Sequence, residues 1–432
     1  MLSIALISEH ASPLAPPGGI DSGGQNVYVA HLARQLAALG HRVDVFTRRD
    51  APERPPCENL GDGVRVVHVP AGPPCFVPKE KLLTYMDDFA RHTIAFMRAQ
   101  DLAHDLVHAN FFMSGVVAQH VKGALGIPFV ITFHALGLVR RREQGTADGF
   151  PALRPAIERS LMREAERIVA ECPQDREDML SLYEAEAERI EIVPCGFDPD
   201  ELWPVRAAAR RRLGLRDDEF AVLQLGRIVP RKGIDNVISG VAALRDAYGL
   251  RARLLVAGGP PRFDDGPEAA ELARLRALTA ELGLREQVIF TGPVPRAELR
   301  EFYSAADVFV TTPWYEPFGI TPLEAMACAT PVVGADVGGI RSTVVDGRTG
   351  YLVPPRAPGA LAERLADLAR HPRRARRLGL AGLRRVHDGY TWRSVAERMC
   401  GVYARAVWRA DAQGLPGQGQ GLPSGGALSK QH

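Results

Sequence analysis

Short runs of apolar, β-prone residues alternate with longer stretches of helical spacing along most of the chain, and that rhythm leaves few folds open. Leu2–Ser8 is apolar throughout, the pattern of a strand buried on both faces. Gln25–Leu39 follows with helical spacing and stops at Gly40, a residue suited to end a helix. The strand-like runs continue at Arg42–Thr47, Val64–Val69, Leu106–Ala109, Phe129–Phe133, Arg167–Ala170 and Ile190–Val193, with helical segments between most of them. Strand, helix, strand in this order predicts a parallel sheet covered by helices on both faces. The pattern pauses at Asp198–Pro204, which reads as a linker, and restarts with Ala221–Leu225, Arg253–Ala257, Val288–Thr291, Val308–Thr311, Pro331–Gly334 and Tyr351–Val353. The expected fold class is therefore α/β with two Rossmann-like domains, residues 1–197 and 198–388, facing each other across an interdomain cleft. No short repeat period is present, which excludes a solenoid. From about Asp411 to the end, residues 411–432, the composition is too poor in apolar side chains to offset ordering entropy and reads as a disordered tail.

With 432 residues the chain exceeds one ordinary core, in keeping with two domains. Its 53 Lys and Arg nearly cancel 51 Asp and Glu, so overall charge gives no argument for nucleic acid or an anionic membrane. The six cysteines form no C-x-x-C pair, so neither zinc nor a disulfide framework is expected. The first residues read as a buried strand rather than a signal peptide, and no apolar run is long enough for a bilayer. A cytoplasmic setting is the simplest one. The basic run around Arg373–Arg377 and Arg384–Arg385 reads as a solvated helix face in preference to a membrane contact. Oligomeric state is not legible.

Four segments fall at expected strand ends, where ligands bind in parallel sheets. The first, Pro16–Gln25, carries Gly23 and Gly24 just before a helix, which suits a phosphate and equally suits a flexible turn. It is neither a Walker loop nor a dinucleotide fingerprint. The second, Leu225–Gly233, supplies Arg227 and Lys232, a planar fork and a mobile point charge that together suit a diphosphate; alone it would pass for an exposed basic turn. The third, Thr311–Ala325, places Glu316 before a helix and Glu324 within it, with the amides of Phe318, Gly319 and Ile320 at the helix start. A carboxylate there can accept from vicinal sugar hydroxyls, or it can simply cap the helix. The fourth is Val130–Gly137, with His134 at the strand end, a candidate for the cleft or for a structural role.

Taken together, GGIDSGGQNVYV, TFHALG, LGRIVPRKG, EPFGITPLEAMACATPVVG and DGRTGYLVPP resemble the retaining glycosyltransferases of the glycogen-synthase-like architecture, the family 4 glycosyltransferases with a GT-B fold. The similarity is to the branches of sucrose-phosphate synthases and inositol-phosphate glycosyltransferases. It implies that Gly24 meets the donor diphosphate across the cleft. Arg227 and Lys232 would bind that diphosphate, Glu316 the sugar hydroxyls, and Glu324 the ribose. His134 would lie at the reacting sugar, and Val294 would lie where backbone reads the base. Lys79 and Arg154 occupy places where relatives bind an acceptor phosphate. Where inositol-phosphate relatives carry an aromatic hydroxyl and a threonine, this chain has Phe111 and Ala135, a departure from that acceptor. The resemblance also implies a helix in residues 389–410, around Thr391–Val407, that crosses back onto the first domain.

The implied reaction moves a hexose from a nucleoside-diphosphate sugar, UDP-glucose first, to a small polar or phosphorylated acceptor with retention. No cofactor and no metal are expected. The Asp198-Pro199-Asp200 stretch lies in the linker and reads as turn chemistry rather than as a metal-binding pair. The alternatives are a nucleotide-sugar epimerase or a non-enzymatic nucleotide-sugar sensor on the same fold.

Overall fold

The structure, a computed structural model, describes residues 1–15, 23–100, 103–145, 148–259 and 267–412. Part of the glycine loop, 16–22, and the tail from 413 onward lie outside the described residues.

The first eight strands are β1 (Ser3–Ile7), β2 (Arg42–Arg48), β3 (Cys57–Gly61), β4 (Val64–Val69), β5 (Leu106–Asn110), β6 (Phe129–Thr132), β7 (Arg167–Ala170) and β8 (Ile190–Ile192). They form one sheet in the order β3-β4-β2-β1-β5-β6-β7-β8. The second sheet has β9 (Ala221–Leu225), β10 (Arg253–Ala257), β11 (Val288–Gly292), β12 (Val308–Thr311), β13 (Val332–Ala335) and β14 (Gly350–Val353), in the order β11-β10-β9-β12-β13-β14. Every strand expected from the sequence is present, within one residue at each end. The addition is β3, whose residues CENLG are neither apolar nor alternating. It pairs antiparallel with β4 at the sheet edge, where a half-exposed polar strand can sit. All other strand pairs in the described residues are parallel.

Parallel pairing explains the composition of the strands. Helices cover both faces, so residues such as Ile4, Leu6, Val43, Val45, Val107, Val130, Ile131, Val222, Leu254, Phe309 and Val333 are almost wholly shielded from solvent. The chain order reverses between β1 and β5 in the first sheet and between β9 and β12 in the second. At such reversals neighbouring loops diverge and open a crevice at the strand carboxyl ends. These ends are Ile7 and Asn110 in one domain, Leu225 and Thr311 in the other.

The last helix, Trp392–Ala412, packs against Gly24–Ala38 and the β6 and β7 side of the first sheet. Its entry is fixed where the linker passes: the Phe197 N–H donates to the Tyr390 carbonyl (2.8 Å) and the Trp392 N–H to the Phe197 carbonyl (3.0 Å). Trp392 is buried, stacked on His31 at 5.3 Å and edge-on to Tyr28 at 5.7 Å. Farther along, the Tyr403 hydroxyl meets His108 Nδ1 at 2.8 Å, while His108 Nε2 meets Thr132 Oγ1 at 2.9 Å.

Burial, with His134 nearby, pushes the His108 imidazole down from 6.5 to about 3. Folded His108 is therefore neutral, whereas the unfolded chain takes up a proton below its ordinary value. Its contribution to stability is complete above pH 6.5 and declines as pH falls toward 3. Urea unfolding should show a loss of about 1.4 kcal/mol for each pH unit below 6.5 from this residue. His108→Gln should flatten that dependence, and an unchanged slope in the variant would contradict the assignment.

Candidate active site

The two sets of strand ends face each other across a cleft of about 360 Å³. On the second domain, Lys232 ends a single helical turn, Pro230–Lys232, and Glu316 lies in the loop after β12. Their side chains form a direct, short ion pair. Burial alone would raise the Glu316 carboxyl, but the Lys232 ammonium, with Arg231 behind it, holds it below the usual carboxylate range. Burial pushes the Lys232 amine down against the pull of Glu316. The resemblance implies phosphate contact for Lys232 and sugar contact for Glu316; the structure adds that their side chains touch. Arg227 lines the cleft and donates through Nε (3.0 Å) and Nη2 (2.8 Å) to Glu268 Oε1. Glu268, in helix Pro267–Glu281, carries no motif that would have revealed it.

Gly319 precedes helix Ile320–Ala327 with a φ of +88°, a conformation that favours glycine, and a Cβ there would stand 3.3 Å from Glu316 Cγ. That turn directs the helix start, with Phe318 and Ile320, into the cleft lining. Glu324 is 3 % exposed, and both its oxygens are engaged: Arg296 Nη1 donates to Oε1 (2.9 Å) and the Tyr303 hydroxyl to Oε2 (2.8 Å). Arg296 also pairs with Glu201 of the linker at 2.7 Å. Val294 lies beside Arg296 on the same wall.

On the first domain, Gly23 and Gly24 open helix Gly24–Ala38 and line the cleft. The Gly23 N–H is held by Asn26 Oδ1 at 2.9 Å. Among the described residues a Cβ on Gly24 would meet Ile320 of the opposite domain, at 3.6 Å, an ordinary van der Waals contact. His134 follows β6 with a φ of +57°, unusual for a residue with a side chain. Its Nδ1 is 3.1 Å from Glu171 Oε1, its Nε2 is 3.1 Å from Asn110 Oδ1, and the Tyr28 ring packs edge-on at 4.8 Å. Glu171, at the end of β7, was not singled out in the sequence; position directly after a strand was the one signal available.

Lys79 lies in the cleft lining at the first-domain end, near Phe111, Ala135, Arg140 and Phe150. Arg154, expected at an acceptor phosphate, is not among the residues that line the cleft. Its side chain is 0 % exposed, donates from Nε to Glu158 Oε1 at 2.7 Å, and stands 4.6 to 4.8 Å over the rings of Phe111, Phe112 and Phe150. Those rings pack it beneath the surface, so the cleft presents Phe111 in its place.

The Asp198-Pro199-Asp200 stretch forms a local turn, with the Asp200 N–H on Asp198 Oδ1 at 2.9 Å. Among the described residues one group of metal-ligating types gathers: His31, Asp198 and Glu201, with ligand atoms within 4.8 Å of one another. It lies at the linker and is not part of the cleft lining, and Glu201 is already paired with Arg296. No helix of the described residues is long and apolar enough to cross a membrane.

Two facing parallel-sheet domains, with Arg227 and Lys232 on one wall of the cleft and Gly23 and Gly24 on the other, have the arrangement of a GT-B glycosyltransferase. The comparisons agree. Residues 205–385 match the family of glycosyl transferases group 1, and residues 23–196 match the glycosyl transferase 4-like domain. The chain belongs to this glycosyltransferase family and is a glycosyltransferase. It is similar to D-inositol 3-phosphate glycosyltransferase 1 of Catenulispora acidiphila, with 40% identity over 94% of this chain and 96% of the relative. It is also similar to the D-inositol 3-phosphate glycosyltransferase of Kineococcus radiotolerans, with 39% identity over 94% and 95%. Among solved structures, sucrose-phosphate synthase from Thermosynechococcus elongatus superposes with a TM-score of 0.86 at 34% identity, covering 94% of this chain and 99% of that one. The Anabaena protein HepE, solved with UDP-glucose, shares the fold with a TM-score of 0.73 at 18% identity, over 94% and 100%.

The Lys232–Glu316 contact makes the two residues interdependent. Lys232→Ala and Glu316→Ala should each lower kcat/KM at least 100-fold, since one well-placed donor to developing charge contributes about 3 kcal/mol. Circular dichroism should show both variants folded. Near-normal turnover in either would remove the pair from the reaction.

Proposed function

We propose that this glycosyltransferase moves a hexose from a UDP-sugar, UDP-glucose first, to a small phosphorylated acceptor, with retention at the anomeric carbon and without a metal ion. The observation that carries this reading is the Lys232–Glu316 pair, set in the same cleft as Gly24 and His134. Cleaving the bond between sugar and nucleotide leaves negative charge on the distal phosphate. Lys232, Arg227 and the amides at Phe318–Ile320 supply fixed positive charge and dipoles at that position, the task that a divalent cation performs elsewhere. Glu316 accepts from sugar hydroxyls beside the same phosphate, and Glu324 accepts from the ribose with the lone pairs that Arg296 and Tyr303 leave open. Arg227 must exchange Glu268 for the diphosphate. The departing phosphate oxygen takes the acceptor proton on the face it leaves, which gives retention without a protein nucleophile.

A phosphorylated acceptor is supported by the names of the relatives, D-inositol 3-phosphate glycosyltransferase and sucrose-phosphate synthase. Lys79 lines the first-domain end of the cleft, where such a phosphate would arrive, and Arg140, paired there with Asp148 at 2.7 Å, would exchange that carboxylate for it. Phe111 and Ala135 lack the hydroxyls expected for an inositol-phosphate acceptor, so the preferred polyol differs from that of the relatives.

A panel of nucleotide sugars tests the donor. UDP-glucose at 100 times its dissociation constant should stabilise the fold by about 2.7 kcal/mol, read as a rise in melting temperature. Turnover should persist in a chelator, and proton NMR of the product should show the donor's anomeric configuration. Stabilisation by no nucleotide sugar, or activity that disappears with chelator and returns with magnesium or manganese, would overturn the reading.

A further inference from the structure

The end of β7 contains a buried carboxylate that the mechanism above does not use. Glu171 is 3 % exposed yet belongs to the cleft lining. β7 pairs with β6, Thr132 opposite Val169, so the residues that follow the two strands, His134 and Glu171, emerge side by side. Glu171 Oε1 lies 3.1 Å from His134 Nδ1 and accepts a weak bond from the Cys195 thiol, also at 3.1 Å.

The other ring nitrogen is equally constrained. Asn110 Nδ2 donates to the His108 carbonyl at 3.3 Å, which turns Asn110 Oδ1 toward His134 Nε2 at 3.1 Å. Both nitrogens of His134 thus face oxygen acceptors, and only an imidazole with a proton on each nitrogen satisfies both. We infer that Glu171 is a positioning residue for the transfer reaction, holding His134 as a doubly protonated ring at the reacting sugar. This deepens the reading under Proposed function and rests on its placement of the sugar beside His134.

The neighbouring Asp175 carboxyl, whose Oδ2 accepts the Glu171 N–H at 3.0 Å, is pushed up to about 8 by burial and by the Glu171 charge, and so is neutral near pH 7. The titratable groups around the His134 ring are Tyr28 of helix Gly24–Ala38, His108 of β5, Glu171, Cys195 after β8, and Asp175. Glu316 and Lys232 face it from the second domain. Among those on its own side, Glu171 is the counter-ion that touches the ring. A cation alone beside the sugar would oppose the positive charge that grows on the anomeric carbon. Paired with Glu171, the imidazolium remains a strong donor to a ligand hydroxyl while the pair is neutral overall. The same contact helps hold the backbone of His134 in its left-handed conformation.

The test combines a mutant cycle with a direct view of the ring. Glu171→Gln should lower kcat on the order of 100-fold, within the range for a displaced proton donor, with UDP-glucose affinity changed less than twofold. In a His134→Asn background, Glu171→Gln should cost little further activity, because it acts through a ring that is gone. Nitrogen-15 NMR of the imidazole should show two N–H protons on His134 at pH 7 in the parent and one in Glu171→Gln. Multiplicative losses in the double variant, or the same ring pattern in both proteins, would overturn the inference. If no nucleotide sugar supports turnover, the reading of function fails, and the NMR result still decides the state of the pair.

Discussion

One ion pair organises the cleft. Lys232 and Glu316 come from loops after different strands, β9 and β12, which are adjacent in the sheet. Parallel pairing brings the two loops together, and the contact joins a cation and a carboxylate of the cleft at one point. A pair this enclosed is a weak source of net stability, because desolvation offsets most of the attraction. Its value lies in preorganisation: both charges are fixed before a ligand arrives, so little reorganisation remains for the reaction itself.

The remaining charges follow a similar logic. Arg227 rests on Glu268, Glu324 is held by Arg296 and Tyr303, and His134 is held by Glu171 and Asn110. None of these groups is left bare in the cleft. A buried ion without a partner would shift to its neutral form, and the site would lose the charge that chemistry needs. Local partners keep the charge and aim it.

The fold was legible because parallel strands covered on both faces must be apolar, and the runs at Leu2–Ser8, Ala221–Leu225 and Val308–Thr311 stand out against polar helices. β3 escaped because an edge strand lacks that requirement. Site residues that sit in glycine- or proline-rich loops, such as Lys232 and Glu316, were visible through their loops. Glu171 and Glu268 were not, since each is a single acidic residue whose meaning comes from a partner far away in sequence. Arg154 lies away from the cleft lining for the opposite reason. Its type and position suited a phosphate, but three phenylalanines and Glu158 enclose it, and burial is a property that spacing alone does not reveal.

The linker is joined to the cleft by more than chain continuity. Arg296 bonds Glu201 of the linker and Glu324 of the cleft wall, and Glu201 and Asp198 lie beside His31 of the first domain. Trp392, stacked on that same His31, begins the helix that returns to the first domain. Glu324, the linker and both crossing segments therefore share one set of contacts, so the cleft wall and the interdomain crossing are held by the same few side chains.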